Sequence, residues 1–108
     1  MTYSQLFNRF VLCLLLLVPL AIAREPEFGV RLEQDVQVPM RDGIKLATDV
    51  YRPAKGDTAV DERFPVILTR TPYDKGGNKS LGEYYAARGY VFAAQDTRGR
   101  YKSDGVWH

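Results

Sequence analysis

Cysteine is almost missing from this chain of 108 residues: Cys13 is the only one, and it lies in an apolar run near the amino terminus. From Arg24 onward no disulfide and no thiolate metal site can form within the chain, and the single histidine, His108, gives no basis for a zinc centre. No cofactor and no metal are expected. An excess of one charge is missing too. Arg9 is the only charged side chain before Arg24, and the 85 residues that follow hold 14 Lys and Arg against 13 Asp and Glu. Nucleic-acid binding needs clustered basic side chains, so no such partner is expected. Internal repeats are absent, and so is any G-x-S-x-G, the strand-to-helix turn that presents a nucleophilic serine.

The amino-terminal segment has its own logic. Met1 to Arg9 is polar with one positive charge, Phe10 to Ile22 is apolar over thirteen residues, and Ala21-Ile22-Ala23 is a small-x-small cleavage pattern after Pro19. That is the layout of a secretory signal peptide spanning 1–23, cleaved after Ala23, with export to the periplasm or beyond. A bilayer-spanning helix needs about 20 apolar residues, so no stable anchor is expected, although an uncleaved, membrane-anchored form is the alternative. Leu12 before Cys13 in mid-run does not suit a lipidation box. The mature part, 24–108, has the size of one small domain that buries only about 60–65% of its chain's surface.

Along the mature part, Arg24 to Val30 reads as a loose lead. Leu32 to Met40 alternates, with Val36 and Val38 on one face and Asp35 and Gln37 on the other. Asp42-Gly43 is a hairpin-turn signal, and Ile44 to Tyr51 returns with Ile44, Leu46, Thr48 and Val50 on one face. An antiparallel pair with one wet face is expected. Arg52 to Arg63 reads as a surface loop. Val66-Ile67-Leu68 is apolar at consecutive positions, as in an interior parallel strand covered on both faces, and Tyr90 to Gln95 has the same character. Between them Gly76 to Lys79 reads as flexible loop. Ser80-Leu81-Gly82-Glu83 then matches a capping box, Leu81, Tyr84, Tyr85 and Arg88 follow at helical spacing, and Gly89 closes the helix. The fold class is α/β: an antiparallel hairpin followed by a β-α-β unit.

Few residues are placed for chemistry. Tyr73 follows Thr71-Pro72 at the carboxyl end of a parallel strand, where open α/β sheets bind ligands. Its hydroxyl could donate to a developing oxyanion. From the pattern alone, a loop tyrosine packed on the sheet edge is the favoured reading, since most of the seven tyrosines must be structural. Asp96 and Arg98 are expected to pair and shape the rim of a site, with Gly99 taking a conformation that other residues resist. Ser103, Asp104 and His108 do not make a triad, because neighbouring Ser103 and Asp104 point apart and His108 has nothing to fix its ring. Gly77-Asn78-Lys79-Ser80 lacks the glycines of a phosphate loop, and Asn78-Lys79-Ser80 is a glycosylation sequon relevant only in a eukaryotic host.

The ordered set of segments carries more than any one of them. Met40-Arg41-Asp42-Gly43-Ile44-Lys45-Leu46-Ala47-Thr48-Asp49-Val50-Tyr51-Arg52-Pro53 comes first. Leu68-Thr69-Arg70-Thr71-Pro72-Tyr73-Asp74-Lys75, Arg88-Gly89-Tyr90 and Gln95-Asp96-Thr97-Arg98-Gly99-Arg100-Tyr101-Lys102-Ser103-Asp104-Gly105 follow. Over residues 33–107 this resembles the amino-terminal part of the X-Pro dipeptidyl-peptidase-like serine hydrolases, a family that includes cocaine esterases and α-amino-acid ester hydrolases. The resemblance implies the first part of an α/β-hydrolase catalytic domain with an incomplete sheet. It implies that Tyr73 supplies an oxyanion-hole hydroxyl, beside the backbone N–H of the residue after the nucleophilic serine. This reverses the preference stated above for Tyr73. The family's serine, aspartate and histidine come later than any residue here, so none can be assigned.

Two functional expectations stand at this point. One is a fragment of an exported serine hydrolase that cleaves small acyl esters, amides or short peptides through an acyl-enzyme, inactive by itself. The other is a complete small secreted module that binds without catalysis. In the first case Val66 to Thr69 becomes an open edge, and such edges recruit other chains. Amino-terminal sequencing of exported product is expected to begin at Arg24; a start upstream of it would contradict the signal-peptide assignment.

Overall fold

The computed structural model describes residues 24–108, so the expected signal peptide, 1–23, lies outside the described residues. Strands β1 (Gly29–Pro39), β2 (Lys45–Lys55), β3 (Thr58–Ala59), β4 (Val66–Thr71) and β5 (Val91–Asp96) form one sheet in the order β1-β2-β5-β4, with β3 on β2. A 3-10 turn at Lys75–Asn78 runs into helix α1 (Lys79–Ala86), which connects β4 to β5. β1 with β2 and β2 with β5 are antiparallel; β4 with β5 is parallel. The expected hairpin and β-α-β unit are therefore present and joined into a mixed sheet. Among the described residues no helix is long and apolar enough to cross a membrane.

The hairpin closes where the sequence signals it. Gly43 sits at φ 84°, Met40 N–H donates to the Ile44 carbonyl at 2.8 Å, and the Asp42 carboxylate accepts from Ile44 N–H at 3.1 Å. A bulge interrupts β1 between Glu33, opposite Val50, and Val36, opposite Thr48. An extra residue there reverses the side-chain alternation along β1. Leu32 lies opposite Tyr51 and joins the core, while Val36 and Val38 lie opposite Thr48 and Leu46 on the other face.

Several expectations need correction. β2 is not half wet: it runs between β1 and β5, and Leu46, Ala47, Thr48 and Asp49 are all buried in succession. β4 has the composition of an interior strand and is, as the first functional expectation requires, an open edge among the described residues, with Val66 65% and Leu68 52% exposed. The lead is tied down, because Glu27 and Phe28 N–H both donate to the Ala87 carbonyl and Phe28 packs edge-on against Phe64. The loop Arg52 to Arg63 contains the end of β2 and a tight return through Gly56, φ 60°, into β3. The capping box does not form. Asp74 caps the 3-10 turn through Gly76 N–H, so helical geometry begins at Lys75 and passes into α1 with Ser80 already inside it.

The helix also packs by a different face from the one the spacing suggests. Leu81 and Tyr84 are each 51% exposed, whereas Gly82 and Ala86, one turn apart, are buried against the sheet. Tyr85 stacks on Phe92 with ring centroids 5.8 Å apart, and Tyr51 meets Phe92 edge-on at 6.3 Å. Such aromatic pairs add about 0.5–1.5 kcal/mol each beyond the area they bury. Gly89, φ 90°, ends the helix as expected, with its N–H on the Ala86 carbonyl and Tyr90 N–H on the Tyr85 carbonyl. Gly82 is required for a steric reason: a Cβ there would clash with the ring of Tyr51. Gly82→Ala is therefore expected to destabilise the fold by about 1–3 kcal/mol through overpacking, read as a lower urea midpoint at constant slope.

Candidate functional site

The candidate site lies at the carboxyl ends of the adjacent parallel strands β4 and β5. Thr71 ends β4 and Asp96 ends β5, directly opposite each other in register. Thr97 N–H donates to the Thr71 carbonyl at 3.1 Å and prolongs the pairing by one bond. The chain then turns away through Pro72, whose ring fixes its own φ and biases Thr71 toward the extended conformation. Tyr73 follows, 80% exposed, with its N–H on Thr71 Oγ1 at 3.0 Å. The structure thus puts Tyr73 at the end of a parallel strand and turns its ring outward, not onto the sheet edge. Asp74 adopts φ 79° and ψ 114°, a conformation that costs a non-glycine residue about 1–3 kcal/mol.

Beneath this turn is a charge cluster. Lys75 is buried, and its ammonium lies 2.6 Å from Asp35 Oδ1, 3.3 Å from Asp49 Oδ1 and 3.8 Å from Asp96 Oδ2. The carboxylates are also held by backbone donors. Asp96 Oδ1 accepts from Lys75 N–H at 2.8 Å, Asp96 Oδ2 from Lys102 N–H at 3.3 Å, and Asp49 Oδ1 from Asp35 N–H at 3.0 Å. Burial works to lower the pKa of Lys75, but the hydrogen bond it donates to Asp35, and the charge of Asp49 and the hydrogen bond donated to it, outweigh that, and the net shift is upward. Asp35 shifts downward, chiefly through its hydrogen bond with Lys75.

Sequence reasoning placed Asp96 at the rim but gave it the wrong partner. Asp96 is fully buried and faces Lys75, while Arg98 reaches across to Asp42, Nη1 to Oδ2 at 2.9 Å. The Arg98 guanidinium holds the Asp42 carboxyl below the usual range, with the Ile44 N–H assisting. The expected Asp96–Arg98 pair does not form because β5 carries Asp96 inward before the chain turns. Gly99 takes φ 74°, and a Cβ there would collide with the Val106–Trp107 backbone. Ser103 Oγ is committed to structure: it accepts from Ala47 N–H at 2.9 Å and donates to the Asp96 carbonyl at 2.6 Å. His108 is exposed at the chain end and makes no triad with it.

The Lys75, Asp35 and Asp49 cluster was missed in the sequence. A signal was available, since Asp49 interrupts the run Ile44 to Tyr51 and a carboxylate in a covered strand demands a cation. The expectation of a wet face concealed it. Shallow depressions occur elsewhere, one lined by Met40, Arg41, Asp42 and Arg98 and another by Glu33, Arg52, Asp61, Glu62 and Phe64 among others; Tyr73 lines neither.

Comparison with known proteins now decides the family. The family model for X-Pro dipeptidyl-peptidase (S15 family) matches residues 42–108. The chain belongs to the S15 family. It is 40% identical over 77 residues to the cocaine esterase of Rhodococcus sp. strain MB1 Bresler, covering 66% of this chain and 12% of that enzyme. A solved α-amino acid ester hydrolase superposes with a TM-score of 0.60 at 32% identity, covering 81% of this chain and 16% of that one. The aminopeptidase of a marine-sediment Thaumarchaeota archaeon gives the same TM-score and the same coverage at 28% identity. This S15 chain therefore spans about an eighth of the curated relative and 16% of the solved chains. Its mixed sheet with few helices matches a part of their folds.

The charge cluster has a pH signature. Asp35, with its pKa lowered, contributes stability that is present above the ordinary carboxylate value of 3.8 and lost as pH falls through the folded value. Lys75, with its pKa raised, contributes stability that is present below the ordinary 10.5 and lost as pH rises through the folded value. Urea midpoints are expected to be level between these limits and to fall outside both. Asp35→Asn should flatten the acid limb, leaving Asp49 and Asp96 around the ammonium.

Proposed function

We propose that this chain is the amino-terminal portion of an exported serine hydrolase of the S15 family, acting on an ester, amide or peptide bond through an acyl-enzyme. The reading is carried by the position of Tyr73, exposed at the carboxyl end of β4 on a turn held from both sides. Membership of the S15 family and likeness to esterases and an aminopeptidase support it. So does the exposed apolar face at Val66 and Leu68, which calls for covering elements and speaks against a complete small binding module. The apolar run before Ala23 supports export.

In this reading a serine from a later segment attacks the substrate carbonyl carbon, and the carbonyl oxygen becomes a tetrahedral oxyanion. The Tyr73 hydroxyl donates a hydrogen bond to that oxygen, beside the backbone N–H of the residue after the serine. Its contribution grows as charge develops, so it lowers the barrier more than it tightens substrate binding. The nucleophile, its base and the orienting carboxylate all come from beyond His108, and this portion alone does not turn over.

Sequencing the native locus beyond the His108 codon tests the first half of the proposal; an in-frame G-x-S-x-G with aspartate and histidine further on is expected. A stop codon with no such motif in any downstream frame would favour the non-catalytic module. In the extended protein, Tyr73→Phe should lower kcat by about 10²–10³ with little change in KM. Unchanged kcat would remove Tyr73 from the oxyanion site.

A further inference from the structure

The turn that carries Tyr73 is held at both ends by groups from elsewhere in the fold. On one side Arg100 Nε donates to the Pro72 carbonyl at 3.1 Å; on the other, Lys75 N–H donates to Asp96 Oδ1 at 2.8 Å. The Lys75 side chain then runs inward to an ammonium shared by three carboxylates from β1, β2 and β5. The nearest of these, Asp35, is the positive-φ residue of the β1 bulge, and its own N–H is held by Asp49. The bulge thus supplies the carboxylate closest to the cation.

A buried ion cluster is a poor source of net stability, because an apolar side chain of similar volume often does as well without the cost of desolvation. What it supplies is geometry, since the ammonium sits against Asp49 and Asp96 carboxylates held by backbone N–H groups, with Asp35 on the bulge closing the third side. We propose that Lys75 is a positioning residue for the Tyr73 hydroxyl, latched by Asp35 on the β1 bulge and by Asp49. This rests on the assignment of Tyr73 to the oxyanion site. It adds that the β1 bulge and the Lys75 ammonium set the orientation of the oxyanion loop without touching substrate. Lys102, whose N–H meets Asp96, and Arg100 close the same shell from the segment after β5.

The test is backbone amide exchange by NMR on the 108-residue chain, for the wild type, Lys75→Met and Lys75→Arg. Reporters are the N–H groups of Tyr73, Lys75 and Gly76, each hydrogen-bonded in the structure. Lys75→Met is expected to speed their exchange about tenfold more than it speeds exchange at Phe92 and Ala94 in β5, whose amides report the loss of global stability. Lys75→Arg should restore most of the protection. Equal acceleration across β5, no change in the turn, or no rescue by arginine would each overturn the proposal. If Lys75→Met does not fold, Asp35→Asn carries the test, because that carboxylate is half exposed; about threefold faster exchange at the same three amides is expected, and no change refutes the latch. The measurement is independent of hydrolysis. A loosened turn with unaffected kcat in Tyr73→Phe would support the latch and overturn the oxyanion assignment alone.

Discussion

One ammonium among three carboxylates organises this portion of the S15 fold. Lys75 opens the 3-10 turn after β4, and its charge meets Asp35 from β1, Asp49 from β2 and Asp96 from β5. Three strands that are distant in sequence therefore share one cation. Removing one partner of a buried pair typically costs about 3–5 kcal/mol, because the charge left behind is unpaired. The arrangement is also directional. Backbone donors from Lys75, Lys102 and Asp35 fix the oxygens of Asp96 and Asp49, which confines the ammonium between them.

The rest of the structure is arranged around that cluster. The bulge in β1 brings Asp35 to the ammonium and, by reversing the alternation, sends Leu32 to the covered face beside Tyr51. On that face Tyr51, Phe92 and Tyr85 interlock, and Gly82 lets α1 approach closely enough for Ala86 to be buried. On the other face the described residues leave Val66 and Leu68 exposed, on the edge strand β4. The candidate site lies where these parts meet, at the carboxyl ends of β4 and β5, with Tyr73 projecting from a turn whose neighbours are buried or bonded.

Much of this was legible in advance, for local reasons. Asp42-Gly43 has the chemistry of a turn requiring positive φ, and Gly43 takes it; Gly89 does the same after α1. The apolar runs at Val66 to Leu68 and Tyr90 to Gln95 are parallel strands with a helix between them. The place of Tyr73 at a strand end follows from strand, proline and turn in immediate succession, whereas its proposed role came from the family resemblance. What escaped depends on partners distant in sequence. Ser80 and Glu83 have the spacing of a capping box, yet Asp74 starts the helical geometry earlier. Asp96 and Arg98 are near neighbours, yet the end of β5 sends them to different partners.

By itself, then, the order of residues determined the bodies of β1, β2, β4, β5 and α1, the turns at Asp42-Gly43 and Gly89, and that Tyr73 stands at a strand's carboxyl end. It did so because these features arise from alternation, ring constraint and positive-φ demands acting over a few residues. Only the tertiary structure decided that β2 runs between β1 and β5, that Gly82 and Ala86 form the buried face of α1, and that Lys75 belongs to Asp35, Asp49 and Asp96. The physical reason is that burial and charge pairing belong to the assembled sheet. A carboxylate acquires its partner when strands pair, and spacing along the chain does not specify which one.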